Sequence, residues 1–287
     1  MLYYFLTFIF QLQASGTHII AKNVTSSVNP AILMLFRSII AMSLYLIWML
    51  FNKKKVQKIE REDWSKVLLL GLLNIPLNQY LFLIAAKLTT APNVSLAYAL
   101  TPAFVLILAV SFFGEKANTK KILGIAIAFI GTILILFERG INFSSDNFWG
   151  FIIVLTGSFF YALYTIVGRE FSFKYGPIYT TGITMIAGFL LYIPIFIMTG
   201  VPLDVSGISF SSWLQILYLG FITSGLGYAL WYILLTMRDA SKTAVFNNLQ
   251  PVMTTILAVI IFGQVLTSSF ILGGLMIIAG VIITQKG

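Results

Sequence analysis

The polar side chains set inside the apolar stretches of this chain are few, and they are regularly spaced. Gln11, Ser15 and His18 fall on one face of a helix, as do Asn74, Asn78 and Phe82. Tyr98 stands three residues before Thr101, Tyr228 three before Trp231, and Asn247 three before Gln250. Amides and hydroxyls in such places can hydrogen-bond the polar head of a small molecule, and Phe82, Tyr98, Tyr228 and Trp231 can offer ring faces to its apolar part. Taken singly, any one amide serves equally well as a helix–helix hydrogen bond of about 0.6 kcal/mol, so the argument for a cavity rests on the set. His18, the only histidine, could titrate near neutral pH, bond a ligand, or snorkel to an interface. Arg37 is a candidate charge partner for a ligand carboxylate; its long side chain could equally reach an interface or bond helix-end carbonyls.

What is missing narrows the chemistry. All nine acidic residues fall in links or at the ends of apolar runs, so no carboxylate is available inside them to hold an organic cation and a proton in turn. The chain has no cysteine, which excludes disulfides, thiolate metal sites and cysteine nucleophiles. No metal-ligand cluster, catalytic constellation or phosphate-cradling loop appears, so neither an enzyme nor a cofactor is expected.

The elements that position these residues are membrane spans. Of 287 residues, 59% are hydrophobic and only 9% charged, with mean hydropathy +0.96, whereas soluble domains carry about 25% charged residues. Ten spans are expected, near 2–21, 31–51, 66–87, 94–113, 120–137, 149–168, 178–199, 212–236, 243–262 and 269–284. Leu2–Phe10 followed by Ala14 to Gly16 has the look of a signal peptide, but it lacks a basic start and its counterpart lies mid-chain. The net charge of +9 does not point to nucleic acid, because the basic residues sit in short links between spans.

Val94–Ile135 recurs, without a gap, as Thr243–Thr284. Pro102 falls on Pro251, the string Ile107–Val110 on Ile256–Val259, Phe113 and Gly114 on Phe262 and Gly263, and Gly124 and Gly131 on Gly273 and Gly280. Carried backward, the match pairs Trp64 with Trp213, Gly71 with Gly220, and Lys22 with Arg169. Asn74, Asn78 and Phe82 then correspond to Thr223, Gly227 and Trp231. Two units follow, 1–138 and 149–287, joined by a linker at 139–148 that contains Gly140 and Asn142.

Five spans per unit is an odd number, so the second unit enters the membrane upside down, and such inverted repeats place a binding site between halves. Lysines and arginines fix the orientation. Lys53 to Lys55, Lys58, Arg61, Lys66, Lys116, Lys120, Lys121, Arg169, Lys174, Arg238, Lys242 and Lys286 fall on one side, against Lys22, Lys87 and Arg139 on the other. Both termini are therefore expected in the cytoplasm. Pro102 and Pro251 are expected to act as symmetric kinks or hinges, and Gly124, Gly131, Gly273 and Gly280 to let spans 5 and 10 pack closely, within one chain or between two.

The ordered set Phe36-Arg37-Ser38, Thr101-Pro102, Phe113-Gly114-Glu115, Gly124 and Gly131, with its echoes Gln250-Pro251 and Phe262-Gly263-Gln264, resembles the EamA family of the drug/metabolite transporter superfamily along essentially the whole chain. Gln264 departs from the pattern where the first unit has Glu115. The resemblance implies an all-α integral membrane protein: two five-helix inverted repeats around a central cavity formed by spans 1, 3, 4, 6, 8 and 9. It also implies transport of small metabolites, often the export of amino acids or related compounds. The expected function is a secondary transporter working by alternating access in a bacterial inner membrane. Its expected partners are a small-molecule substrate and the lipid bilayer, in a monomer or homodimer. A multidrug exporter of neutral or anionic compounds and a lipid-handling membrane protein are the alternatives.

Overall fold

Hydrocarbon offers backbone amides no water, so a chain this apolar must satisfy its peptide groups internally, and helices do so. The computed structural model describes residues 1–89, 91–138, 144–253, 256 and 267–287, and among them every regular element is helical and no strand occurs. In order these are α1 (Leu2–Val24), α2 (Pro30–Phe51), α3 (Trp64–Asn74), α4 (Leu81–Leu88), α5 (Ala91–Ala99), α6 (Thr101–Phe113), α7 (Thr119–Glu138) and α8 (Ser145–Tyr175). They are followed by α9 (Pro177–Met198), α10 (Phe210–Leu217), α11 (Tyr228–Met237), α12 (Ala240–Ala244) and α13 (Ser268–Gln285). A π turn, Ile75–Tyr80, joins α3 to α4, and a longer one, Tyr218–Gly227, joins α10 to α11.

Among the described residues, eight helical stretches are long and apolar enough to cross a membrane. Of the two further spans expected, the first forms α1, which is 23 residues long but is made more polar by Gln11, Gln13, Ser15, Thr17 and His18. The ninth is described only in part, as α12, a 3-10 turn Val245–Asn248 and helical residues 249–253. Most of its repeat string, together with Phe262, Gly263 and Gln264, lies outside the described residues, as do Arg139, Gly140 and Asn142 of the expected linker. The sixth span does not stop near residue 168: α8 continues through Arg169, Glu170 and Lys174 to Tyr175. Charge ends an apolar run without ending a helix, and the chain turns only at Gly176, where φ is 82°.

Helix ends are set locally. Asn29 caps α2, its Oδ1 accepting from Ala31 N at 2.9 Å, and Pro30 fills the first helical position, where no N–H is needed. Ser209 and Thr267 cap α10 and α13 in the same way. Large apolar residues such as Ile47, Ile107, Leu190 and Leu275 stay exposed on the outside of the bundle, where lipid would cover them.

The closest helix pair is α7 with α13. A Cβ placed on Gly131 would stand 2.6 Å from the Gly273 carbonyl oxygen, and one on Gly273 would stand 2.6 Å from that of Gly131. The repeat glycines thus bring spans 5 and 10 together within one chain. The prolines fall where helices change course: α5 ends at Ala99 and α6 restarts one residue before Pro102, while the 3-10 turn Val245–Asn248 precedes Pro251.

One pair of repeat-matched residues makes matched bonds. Lys22 Nζ donates to the carbonyls of Ala86 (2.8 Å) and Thr89 (2.9 Å), which close α4. Arg169 Nε donates to Leu235 O (2.9 Å) and its Nη2 to Arg238 O (3.4 Å), which close α11. Thr89 lies against Asn147 at the start of α8, and Arg169 lies near the end of α8, so the two caps sit at opposite ends of the bundle.

Candidate functional site

A π turn adds a residue to the helical repeat, so it rotates every side chain that follows and loosens the carbonyl ladder. Pro76, lacking an N–H, stands second in the first π turn. In the second, Gly220 and Gly225 let α2 approach until their absent Cβ positions are filled by Ile40 and Leu44, and Tyr45 OH donates to Gly225 O at 2.6 Å. Both π turns open toward the same central cavity.

That cavity is lined by both polar and aromatic side chains, the mixture usual for small-molecule sites. Its walls come from α1, α2, both π turns, α4, α5, α8, α11 and the residues around the 3-10 turn. One side is aromatic. Trp231 stacks between Phe10 (centroids 4.9 Å apart) and Tyr161 (5.7 Å), and its Nε1 donates to Thr165 Oγ1 at 3.0 Å. His18 packs against Phe82 and Tyr98 at 5.5 and 5.7 Å.

Three polar systems complete the walls. Asn78 Nδ2 donates to Tyr98 OH (2.8 Å) and Gly157 O (3.1 Å), while its Oδ1 accepts from Tyr228 OH (2.8 Å). Gln11 Nε2 donates to Asn247 Oδ1 at 3.2 Å, and Gln250 Nε2 donates to Gln11 Oε1 at 3.1 Å. Arg37 Nε donates to Ser224 Oγ (2.6 Å), Ser224 Oγ to Gln79 Oε1 (2.7 Å), and Gln79 Nε2 to Asn74 Oδ1 (2.7 Å). The last chain links α2 to both π turns.

Of the residues singled out from sequence, His18, Arg37, Asn78, Phe82, Tyr98, Tyr228, Trp231, Asn247 and Gln250 line the cavity. Gln11 is buried behind the lining, and Asn74 lies farther back, its Nδ2 facing Met185 Sδ at 3.4 Å. Arg37 reaches no interface: it is 2% exposed and points to the centre. Sequence reasoning missed Gln79, Gln13, Thr17 and Tyr161, which also line it, and named Thr223, another lining residue, only as the repeat counterpart of Asn74. Gln79 replaces Asn74 because the π turn breaks the spacing that put Asn74, Asn78 and Phe82 on one face; Pro76 was the available signal. Gln13 and Thr17 stand four residues apart and bond each other at 3.0 Å, a spacing readable in the sequence.

The end of the bundle that carries Lys53 to Lys55 is cross-tied. Lys174 Nζ meets Glu60 at 2.5 Å and Asp63 at 2.7 Å, and Tyr175 OH donates to Asp63 at 2.8 Å. Lys121 Nζ meets Glu115 at 2.9 Å and Asp239 at 3.3 Å, and Ser241 Oγ donates to Glu115. At the other end, contact between the same parts of the chain includes Ser27 with Ser212, hydroxyls 3.4 Å apart.

A helical bundle with an apolar exterior and a central polar and aromatic cavity is an architecture suited to a membrane transporter. The model of the EamA-like transporter family matches residues 1–137 and again 148–285, and the chain belongs to that family. The uncharacterized transporter YyaM of Bacillus subtilis (strain 168) is 30% identical over 275 residues, covering 95% of this chain and 90% of that one. A protein of Salmonella typhimurium (strain LT2) named a probable amino-acid metabolite efflux pump is 28% identical over 231 residues, 77% of each chain. A solved crystal structure superposes with TM-score 0.80 over 98% of this chain and 96% of its own, at 19% identity, which speaks for the fold alone. The chain is thus an integral membrane protein of the transporter class.

Proposed function

We propose that this chain is a secondary transporter of small polar or amphipathic metabolites, amino acids or related compounds foremost, working by alternating access. The observation that carries the reading is the cavity, whose polar and aromatic walls are built from both family-matched stretches of the chain. Its architecture is ten spans in two inverted units, 1–138 and 149–287, with 139–148 between them. The matched caps of Lys22 and Arg169 at opposite ends of the bundle support the inversion. Basic residues crowding the links at one end support cytoplasmic termini, and the short links fit a bacterial inner membrane. The cross-ties at that end fit a state closed toward the cytoplasm. The efflux pump among the relatives supports amino-acid metabolites and outward flux.

The aromatic lining, Phe10, Phe82, Tyr98, Tyr161, Tyr228 and Trp231, favours one second reading, a multidrug exporter of neutral or anionic compounds. Flux in proteoliposomes, measured for a panel of amino acids, nucleosides and organic cations with and without a proton gradient, separates the two. Selective amino-acid flux supports the first reading. Weak flux of many unrelated compounds supports the second, and proton-driven flux of organic cations alone overturns both.

A further inference from the structure

Most of the cavity's neutral polar side chains are already provided for. Asn78 has partners on both amide atoms, Gln79 likewise, Gln250 and Gln11 bond one another, and Thr17 Oγ1 meets Thr223 Oγ1 at 2.8 Å. Among the described residues four buried side-chain polar atoms lack a partner: Arg37 Nη1, Thr180 Oγ1, Gln215 Oε1 and Asn248 Nδ2. Only Arg37 of these lines the cavity. It is also the one that carries charge.

A guanidinium cannot shed its proton to escape burial, so it needs an anion. The ion pairs among the described residues all lie at the end of the bundle and none includes Arg37. Among the described residues, no aspartate or glutamate lines the cavity. Natural proteins pair buried charges, and a charge left unpaired at the wall of a ligand cavity is a place where the ligand supplies the counter-ion.

We propose that Arg37 is the anion-binding residue of the central cavity, and that the site reads the carboxylate of a small organic monocarboxylate whose tail is apolar or aromatic. The inference rests on the cavity being the transport site and names the group recognised there. Nε is held by Ser224 at 2.6 Å, which orients the guanidinium at the cavity wall, and Nη1 has no partner of its own, so the charge is left for a carboxylate to match. A single charge is called for because, among the described residues, the only other lining residue able to be cationic is His18, packed against two aromatic rings. A doubly charged phosphate would leave one negative charge unmatched. The stacked wall of Phe10, Trp231 and Tyr161 suits a ring or branched tail. Since no fixed anion lines the cavity, an ammonium group on the ligand is tolerated by ring faces and not required. Because Arg37 also bonds through Ser224 to Gln79, the anchor touches both π turns at once.

The test needs ligands matched in shape and differing in charge. Hydrocinnamate and its uncharged amide, with phenylalanine and phenethylamine beside them, are titrated calorimetrically into the purified full-length protein. The carboxylates are expected to bind about tenfold or more tightly than the amide or the amine. R37Q is expected to abolish that preference and R37K to retain part of it. Equal binding of acid and amide, binding of phenethylamine alone, a preference that survives R37Q, or no binding by any of the four overturns the proposal. If R37Q does not fold, the acid–amide comparison in the wild-type protein decides alone. Flux of the same compounds in proteoliposomes is read separately: carboxylate binding without flux would remove the transport reading and leave Arg37 as an anion site.

Discussion

Asn78 holds three elements with one amide: its Nδ2 reaches Tyr98 of α5 and the Gly157 carbonyl of α8, and its Oδ1 takes the Tyr228 hydroxyl of α11. Asn78→Ala takes the partner from two half-buried tyrosine hydroxyls and from the buried Gly157 carbonyl, at about 1–3 kcal/mol for a buried group left unsatisfied. Flux through Asn78→Ala is expected to fall about tenfold, since 1.4 kcal/mol of lost ligand affinity is that factor. The amount of folded protein in the membrane, followed by size-exclusion of a fluorescent fusion, should fall less. Trp231→Ala removes the middle ring of a three-ring stack and should also cost flux more than folded protein, whereas Trp231→Phe keeps the stack and loses only the bond to Thr165. Normal flux in both Asn78→Ala and Trp231→Ala would sink the proposed lining. Both positions were legible in the sequence, because amides and large aromatic side chains on defined stripes of apolar runs need partners. The partners were not, since Asn78 and Tyr228 lie 150 residues apart. The placement of Arg37 was not legible either: the sequence put a cation two turns into a span, and only the packing shows that it turns inward to Ser224.

At the scale of elements, the helices were largely readable from apolar run length, and their irregularities were not. Nothing in hydropathy marks the π turns Ile75–Tyr80 and Tyr218–Gly227, because each lies inside one continuous apolar run. Hence Asn74 was assigned to the face that Gln79 occupies. Close packing by α7 and α13 was readable from small residues recurring at fixed distances in the repeat, but whether it joins helices of one chain or of two was not. Gly131→Leu would put a Cβ 2.6 Å from Gly273 O and 2.9 Å from Met276 Cβ, neither of which can yield without moving α13. Overpacking of this kind costs about 1–3 kcal/mol. The thermal midpoint in detergent is therefore expected to fall by several degrees (about 2–12 °C on soluble-domain scaling). Ile130→Leu, at a half-exposed neighbouring position, should leave it unchanged. Neither helix lines the cavity, so ligand affinity of the Gly131→Leu protein that remains folded should match the wild type. An unchanged midpoint would mean that these helices do not meet closely in the membrane.

For the whole molecule, the basic links foretold which end would be crowded with charge but not how that charge is joined across the chain. Lys174 reaches Glu60 and Asp63 from more than a hundred residues away, and Lys121 reaches Asp239. The topology first requires that a reporter fused after Gly287 read as cytoplasmic; an external reading would refute the orientation. The cross-ties then make a stronger demand. Lys174 and Glu60 are exposed, so water and salt screen their pair and it contributes little. Lys121 is buried against Glu115, where removing one partner leaves a charge without its match. If these ties hold the cytoplasmic end shut, Lys121→Met with Lys174→Met should shift the population toward a state open on that side, a state otherwise about 0.1–10% populated. The chain has no cysteine, so Ala14→Cys on the cavity wall can serve as the sole thiol. A charged, membrane-impermeant thiol reagent should label it about tenfold faster from the cytoplasmic face in the double variant, matching a shift of 1.4 kcal/mol, and more slowly from the opposite face. Labelling that is unchanged from either face would show that the ion pairs decorate this end without closing it.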